Sequence, residues 1–118
     1  MTTKEIANRL VELCRKGEYE TCYKELYSPN AKSIEPNQEG GWDTVQGMEA
    51  FAEKGKQWNA GMEEFYSGTV SEPIVAENHF SLEMSMDYKP KGAERLNHSE
   101  ICVYKVENGK IVSEQFFY

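Results

Sequence analysis

Apolar residues recur at helical spacing through the first half of the chain and at alternate positions through most of the second. The stretch "TTKE" carries Thr2 and Glu5 at capping-box spacing. Ile6, Leu10 and Leu13, with Ala7 and Cys14 beside them, then form one stripe, and Gly17 supplies a stop. A second helix is predicted from Tyr19, Cys22, Tyr23, Leu26 and Tyr27, ended by "SPN" at Ser28 to Asn30. The next run, "AKSIEP", reads as a short extended segment, because Pro36 forbids helix and pushes Glu35 toward an extended conformation. After the polar loop "NQEGGW", the spacing predicts a third helix opening at "DTVQG", with Asp43 as its cap and Gln46 answering it. Its apolar face holds Val45, Met48, Phe51, Ala52, Trp58 and Met62. Gly47 and Gly55 weaken this helix by up to about 1 kcal/mol each.

The period then changes from 3.6 to 2. "EEFYSGTVSEPIVAE" reads as two short strands or one interrupted by Pro73. In "HFSLEMSMDY", Phe80, Leu82, Met84, Met86 and Tyr88 alternate with His79, Ser81, Glu83, Ser85 and Asp87, a clean strand signal. "KPKGAE" makes a turn, and "SEICVYKVENGKIVSEQFFY" reads as a hairpin around Asn108-Gly109. Three helices followed by an antiparallel meander define an α+β domain, with the helices covering one face of the sheet. A curved sheet with helices on its concave side makes a cone that can enclose a pocket. A cone filled by its own side chains would exclude a ligand.

Composition narrows the function classes. The 118 residues suffice for one domain, residues 1–118, with a single core. No apolar run approaches the roughly 20 residues needed to span a bilayer. The net charge of −7 and the interleaving of acids with bases argue against nucleic-acid and anionic-membrane partners. Cys14, Cys22 and Cys102 follow no metal or disulfide spacing and suit reduced thiols, so a cytoplasmic location is expected.

The order of elements, the Glu35-Pro36 pair, "FSLEM" at Phe80 to Met84 and "ENGKIV" at Glu107 to Val112 resemble the nuclear-transport-factor-2-like superfamily. Within it, the chain is similar to the SnoaL-like polyketide cyclases and the ketosteroid isomerases. The resemblance covers essentially the whole chain. It implies a cone-shaped α+β barrel of cystatin-like fold, a pocket between helices and sheet, and a homodimer through the sheet's outer face. It does not imply a reaction. The isomerases keep a catalytic base in an Asp-Pro pair where Glu35-Pro36 stands here. Their oxyanion-hole tyrosine aligns with Leu10, which cannot donate. Their protonated aspartate aligns with Cys102, with Glu100 two residues earlier on the same face. Steroid isomerisation is therefore not expected. The cyclases carry an acid/base aspartate near the end of the final strand, which here reads "VSEQFFY", with Glu114 early and aromatics last.

Glu35 and Glu100 are the candidate acid/base pair, since two carboxylates facing one apolar pocket would drive their pKa values apart. Glu35 stands either at such a pocket or at a solvated rim. Candidate substrate-binding residues are Trp58, Phe80, Leu82, Met84, His98, Cys102, Tyr104, Phe116 and Tyr118, whose Met and aromatic surfaces fit varied apolar shapes. His98, Glu100, Cys102 and Tyr104 share one strand face, but neighbours there stand about 6.5 Å apart, so four cannot converge on a metal. No metal ligand set and no phosphate-cradling loop is visible, and no cofactor is expected. The expected partner is a small apolar molecule. The two function classes are a cofactor-independent isomerisation, cyclisation or hydration with Glu35 as base, and a non-catalytic ligand-binding or dimerisation module.

Overall fold

A computed structural model describes all 118 residues. The elements run α1 (Thr3–Arg15), α2 (Tyr19–Leu26), β1 (Tyr27–Pro36), β2 (Trp42–Gln46), α3 (Met48–Ala60), β3 (Met62–Val70), β4 (Ile74–Val75), β5 (His79–Pro90), β6 (Leu96–Glu107) and β7 (Lys110–Phe117). The strands form one curved, unclosed sheet in the order β2-β1-β7-β6-β5-β3, with β4 paired to β5. Every pair is antiparallel, as expected, except β1 with β7, which run parallel and make the sheet mixed.

The first helix forms as its sequence predicts. Thr2 and Glu5 cap it reciprocally, and Ile6, Ala7, Leu10, Val11, Leu13 and Cys14 are buried along its inner stripe. α2 buries only Cys22 and Leu26. Tyr27 already belongs to β1, a strand of ten residues where the sequence suggested a shorter one.

The region from 37 to 47 departs from the helical expectation. Asn37 Oδ1 accepts from the backbone N–H groups of Glu39 and Gly41, at 3.1 and 2.9 Å, and turns the chain back on itself. Trp42 to Gln46 then pair with Pro36 to Lys32. Trp42, Thr44 and Val45 are strand formers, and an available edge outweighed the capping signal of Asp43. Asp43 instead accepts from Asn37 Nδ2 at 3.1 Å. α3 begins at Gly47, whose φ of 93° only glycine adopts readily, and it has no side-chain cap. Phe51 alone is buried along α3.

At the other hairpin, Asn108 and Gly109 take positive φ values of 51° and 73°, the turn that their sequence predicts. The core unites α1, α2 and the concave side of the sheet: Phe80 and Leu82 on β5, Cys102, Tyr104 and Val106 on β6, and Ile111 and Phe116 on β7.

Candidate functional site

Strand register arranges the concave face in rows. The deepest row runs Ser33, Glu114, Tyr104, Phe80. The next holds Phe116, Cys102 and Leu82, and Met84 and Glu100 pair beyond it, followed by Met86 and His98. Phe80 stacks on Tyr104 with ring centroids 4.7 Å apart. This end lies under α1 and α2 and is packed solid by side chains. Phe80, Leu82, Cys102, Tyr104 and Phe116, expected to line a ligand pocket, are therefore core residues. Burial first, and then the Glu100 charge, push the Cys102 thiol up, away from thiolate chemistry.

The other end is open. Met84, His98, Glu100 and Glu35 are half-buried there, and Trp58 and Tyr118 are exposed. His98 Nε2 and Glu100 Oε2 are 3.2 Å apart, and the Tyr118 and His98 rings meet edge to face with centroids 4.6 Å apart. Trp58 leans on Tyr88 at 5.1 Å. The Tyr118 phenol is pushed up by burial and then by the charges of Glu35 and Glu100, so both candidate carboxylates act on one group. A broad depression of about 680 Å³ adjoins this end. Its walls are Pro36, Asn37, Gln38, Glu39, Asp43 and Tyr118, so it is polar, not the apolar cavity expected.

From the open end into the covered one runs a chain of polar groups that the sequence did not disclose. Lys54 from α3 pairs with Glu35 at 2.9 Å and donates to Ser33 Oγ at 2.8 Å. Ser33 donates to Glu114 Oε2 at 2.7 Å, and the Tyr27 hydroxyl donates to Glu114 Oε1. Ser33, Tyr27 and Glu114 are all buried. Burial pushes the Glu114 carboxyl above the usual range, while the bonds from Tyr27 and Ser33 and the charge of Lys54 pull it back. The Lys54 ammonium also lies 5.1 Å from the centre of the Phe116 ring.

A β-bulge brings Glu114 inside. Lys105 pairs with Ser113 but Val106 with Ile111, so Val112 is an extra residue in β7. Ile111 and Glu114 are then both buried at a spacing of three. Strict alternation from Ile111 would have turned Ser113 inward instead. No sequence pattern announced that slip. Lys54 did leave a trace: it follows Phe51 by three positions, so a cation stands on the same face as the one buried residue of α3.

Comparison with known proteins agrees with this architecture. The SnoaL-like domain family matches residues 1–118. A crystal structure from Mesorhizobium loti, provisionally assigned to the SnoaL-like polyketide cyclases, is 33% identical and superposes with a TM-score of 0.90 over 100% of both chains. A Xanthomonas campestris protein of unknown function with a cystatin-like fold is 20% identical, with a TM-score of 0.77 over 99% of this chain and 90% of that one. A Catenulispora acidiphila protein with a ketosteroid-isomerase-like fold, solved with trimethylamine, is 19% identical, with a TM-score of 0.74 over 99% and 87%. No curated protein matches the chain. No helix is long and apolar enough to cross a membrane. By its sequence and its fold alike, the chain belongs to the SnoaL-like domain family of the nuclear-transport-factor-2-like superfamily.

Proposed function

We propose that the open end of the cone binds a small organic molecule and performs cofactor-independent proton transfer on it, with Glu35 as the base. The observation that carries this reading is the Glu35–Lys54 pair, 2.9 Å apart, with each side chain about one-third exposed. A carboxylate is thereby held beside a cation where solvent and a ligand can reach both. Glu100, beside His98, is the second acid/base group, and Met84, Trp58 and Tyr118 supply the apolar surface. Isomerisation, cyclisation and hydration all begin with such a transfer. Three free thiols, all buried, suit a cytoplasmic location.

Deuterium incorporation into a panel of enolisable ketones in D2O, followed by NMR, tests the reading. The wild-type protein is expected to accelerate exchange, and Glu35→Gln to lose about two to four orders of magnitude of that acceleration. Equal rates for the two proteins remove Glu35 from the chemistry. No acceleration and no ligand-induced shifts at the open end favour the non-catalytic module.

A specific observation supports that second reading. The outer face of the sheet exposes Trp42, Ile101 and Phe117, with Trp42 and Phe117 edge to face at 5.2 Å. A homodimer would cover this patch. Light scattering on wild type and Phe117→Glu is expected to give a dimer and a monomer; a monomeric wild type ends the proposal.

A further inference from the structure

Lys54 has three ammonium hydrogens and two protein partners, Ser33 and Glu35. The third is free for solvent or for an oxygen of a ligand. Beneath it, the hydrogens can be counted. Ser33 has one, given to Glu114, and its lone pairs are thereby left facing Lys54. Tyr27 has one, also given to Glu114. With Glu114 as a carboxylate, each of these hydrogens has an acceptor, in the order Lys54 to Ser33 to Glu114, with Tyr27 closing the far side. A proton on Glu114 puts three hydrogens into two O···O contacts. One buried hydroxyl hydrogen then has no partner, and if it is Ser33's it turns toward the ammonium.

We propose that Glu114, steadied by Tyr27 and acting through the Ser33 hydroxyl, is the positioning residue for Lys54, and that its protonation loosens Lys54 from the floor of the site. This rests on the reading of the open end as the site, since its consequence is to fix the one Lys54 N–H that a ligand oxygen would meet. The groups around Glu114 are few. β1 presents Tyr27, Ser33 and Glu35, α3 presents Lys54, β6 presents Tyr104 and Cys102, and α2 presents Cys22 and Tyr23. Burial pushes the phenols of Tyr23, Tyr27 and Tyr104 and the thiol of Cys102 upward, and the hydrogen bond with Cys14, then burial, does the same to the Cys22 thiol, so they remain neutral through the acid range. Glu35 is the other carboxyl group in contact with this chain.

The test reads Lys54 itself and needs no substrate. Lysine-labelled protein gives a 15Nζ resonance for Lys54, assigned by its loss in Lys54→Met, and its shift is followed against pH. Two steps are expected. One disappears in Glu35→Gln. The other disappears in Glu114→Gln, and also in Ser33→Ala, where Glu114 is retained but disconnected. In Tyr27→Phe that second step moves to higher pH, because the carboxylate has lost a donor. A Lys54 signal whose whole pH dependence vanishes in Glu35→Gln overturns the proposal, as does one that Ser33→Ala leaves unchanged. A wrong assignment of Glu35 as base would appear in the deuterium-exchange experiment and not here. Circular dichroism confirms that each variant is folded, and Ser33→Ala keeps the test alive if Glu114→Gln is not.

Discussion

Under α1 and α2, the concave face of the sheet packs Phe80 on Tyr104 and closes around Leu82, Cys102 and Ile111. A few residues further along the same strands, β5 and β6 present Met84, Met86, His98 and Glu100, none of which is fully buried. The difference lies in the cover, not in the strands. Alternation continues unbroken along β6 from Val106 to His98, but two amphipathic helices bury its first half and leave its second half wet. A ligand expectation spread evenly over that face therefore has to contract to the open end.

The comparison breaks most visibly through a pair of substitutions. Phe80→Ala, at the covered end, removes a stacked ring with no route for water to replace it and is expected to cost about 3–5 kcal/mol. Met86→Ala, three rows toward the open end, is expected to cost about 1 kcal/mol or less, because its side chain is already partly hydrated. Urea denaturation of both variants checks the contrast. Equal losses would mean that the open end is as closely packed as the covered one.

Tyr27→Phe probes the buried end of the polar chain. It keeps the ring, with its edge contacts to Tyr23 and Phe51 at 5.0 and 5.7 Å, and leaves Glu114 Oε1 without its donor. At neutral pH the expected cost is about 1–3 kcal/mol. The pH dependence has a definite sign. The Tyr27 bond lowers the Glu114 pKa in the folded protein, so its contribution is present at higher pH and fades as pH falls through the Glu114 titration. Burial acts oppositely and more strongly. It raises Glu114 above its unfolded value, so Glu114 favours folding most below about 4.3 and loses that contribution as pH rises through its raised value. Wild type should thus gain on Tyr27→Phe with rising pH and lose ground to Glu114→Gln. Denaturation midpoints between acid and neutral pH check both trends.

Elements with strong periodicity were legible in the sequence: α1 with its Thr2–Glu5 cap, the alternating β5, and the Asn108–Gly109 hairpin. Local rules failed where partners distant in sequence decided the outcome. Asp43 and Gln46 carry a capping signal, yet β1 offered Trp42–Gln46 an edge to pair with. Of the candidate residues, Glu35, Met84, Trp58, His98, Glu100 and Tyr118 gather at the open end, while five others are core. Glu114 stood in the sequence only as an early acid of the last strand, with no role read for it. A single bulged residue, Val112, turned it inward, and alternation read from one strand alone carries no record of a bulge.

The smallest effect is expected at the chain's last residue. Tyr118 is 60% exposed, follows β7, and meets the His98 ring edge to face. Tyr118→Ala should leave stability within about 0.5 kcal/mol of wild type, since it removes little buried surface. It should nonetheless move the His98 ring-proton resonances, because an aromatic neighbour at 4.6 Å is lost. Tyr118→Phe keeps the ring and should restore them. A ring-dependent signal with no stability cost is what an open, ligand-accessible end requires. A loss as large as that of Tyr27→Phe would instead make Tyr118 part of the packed interior and erase the contrast between the two ends.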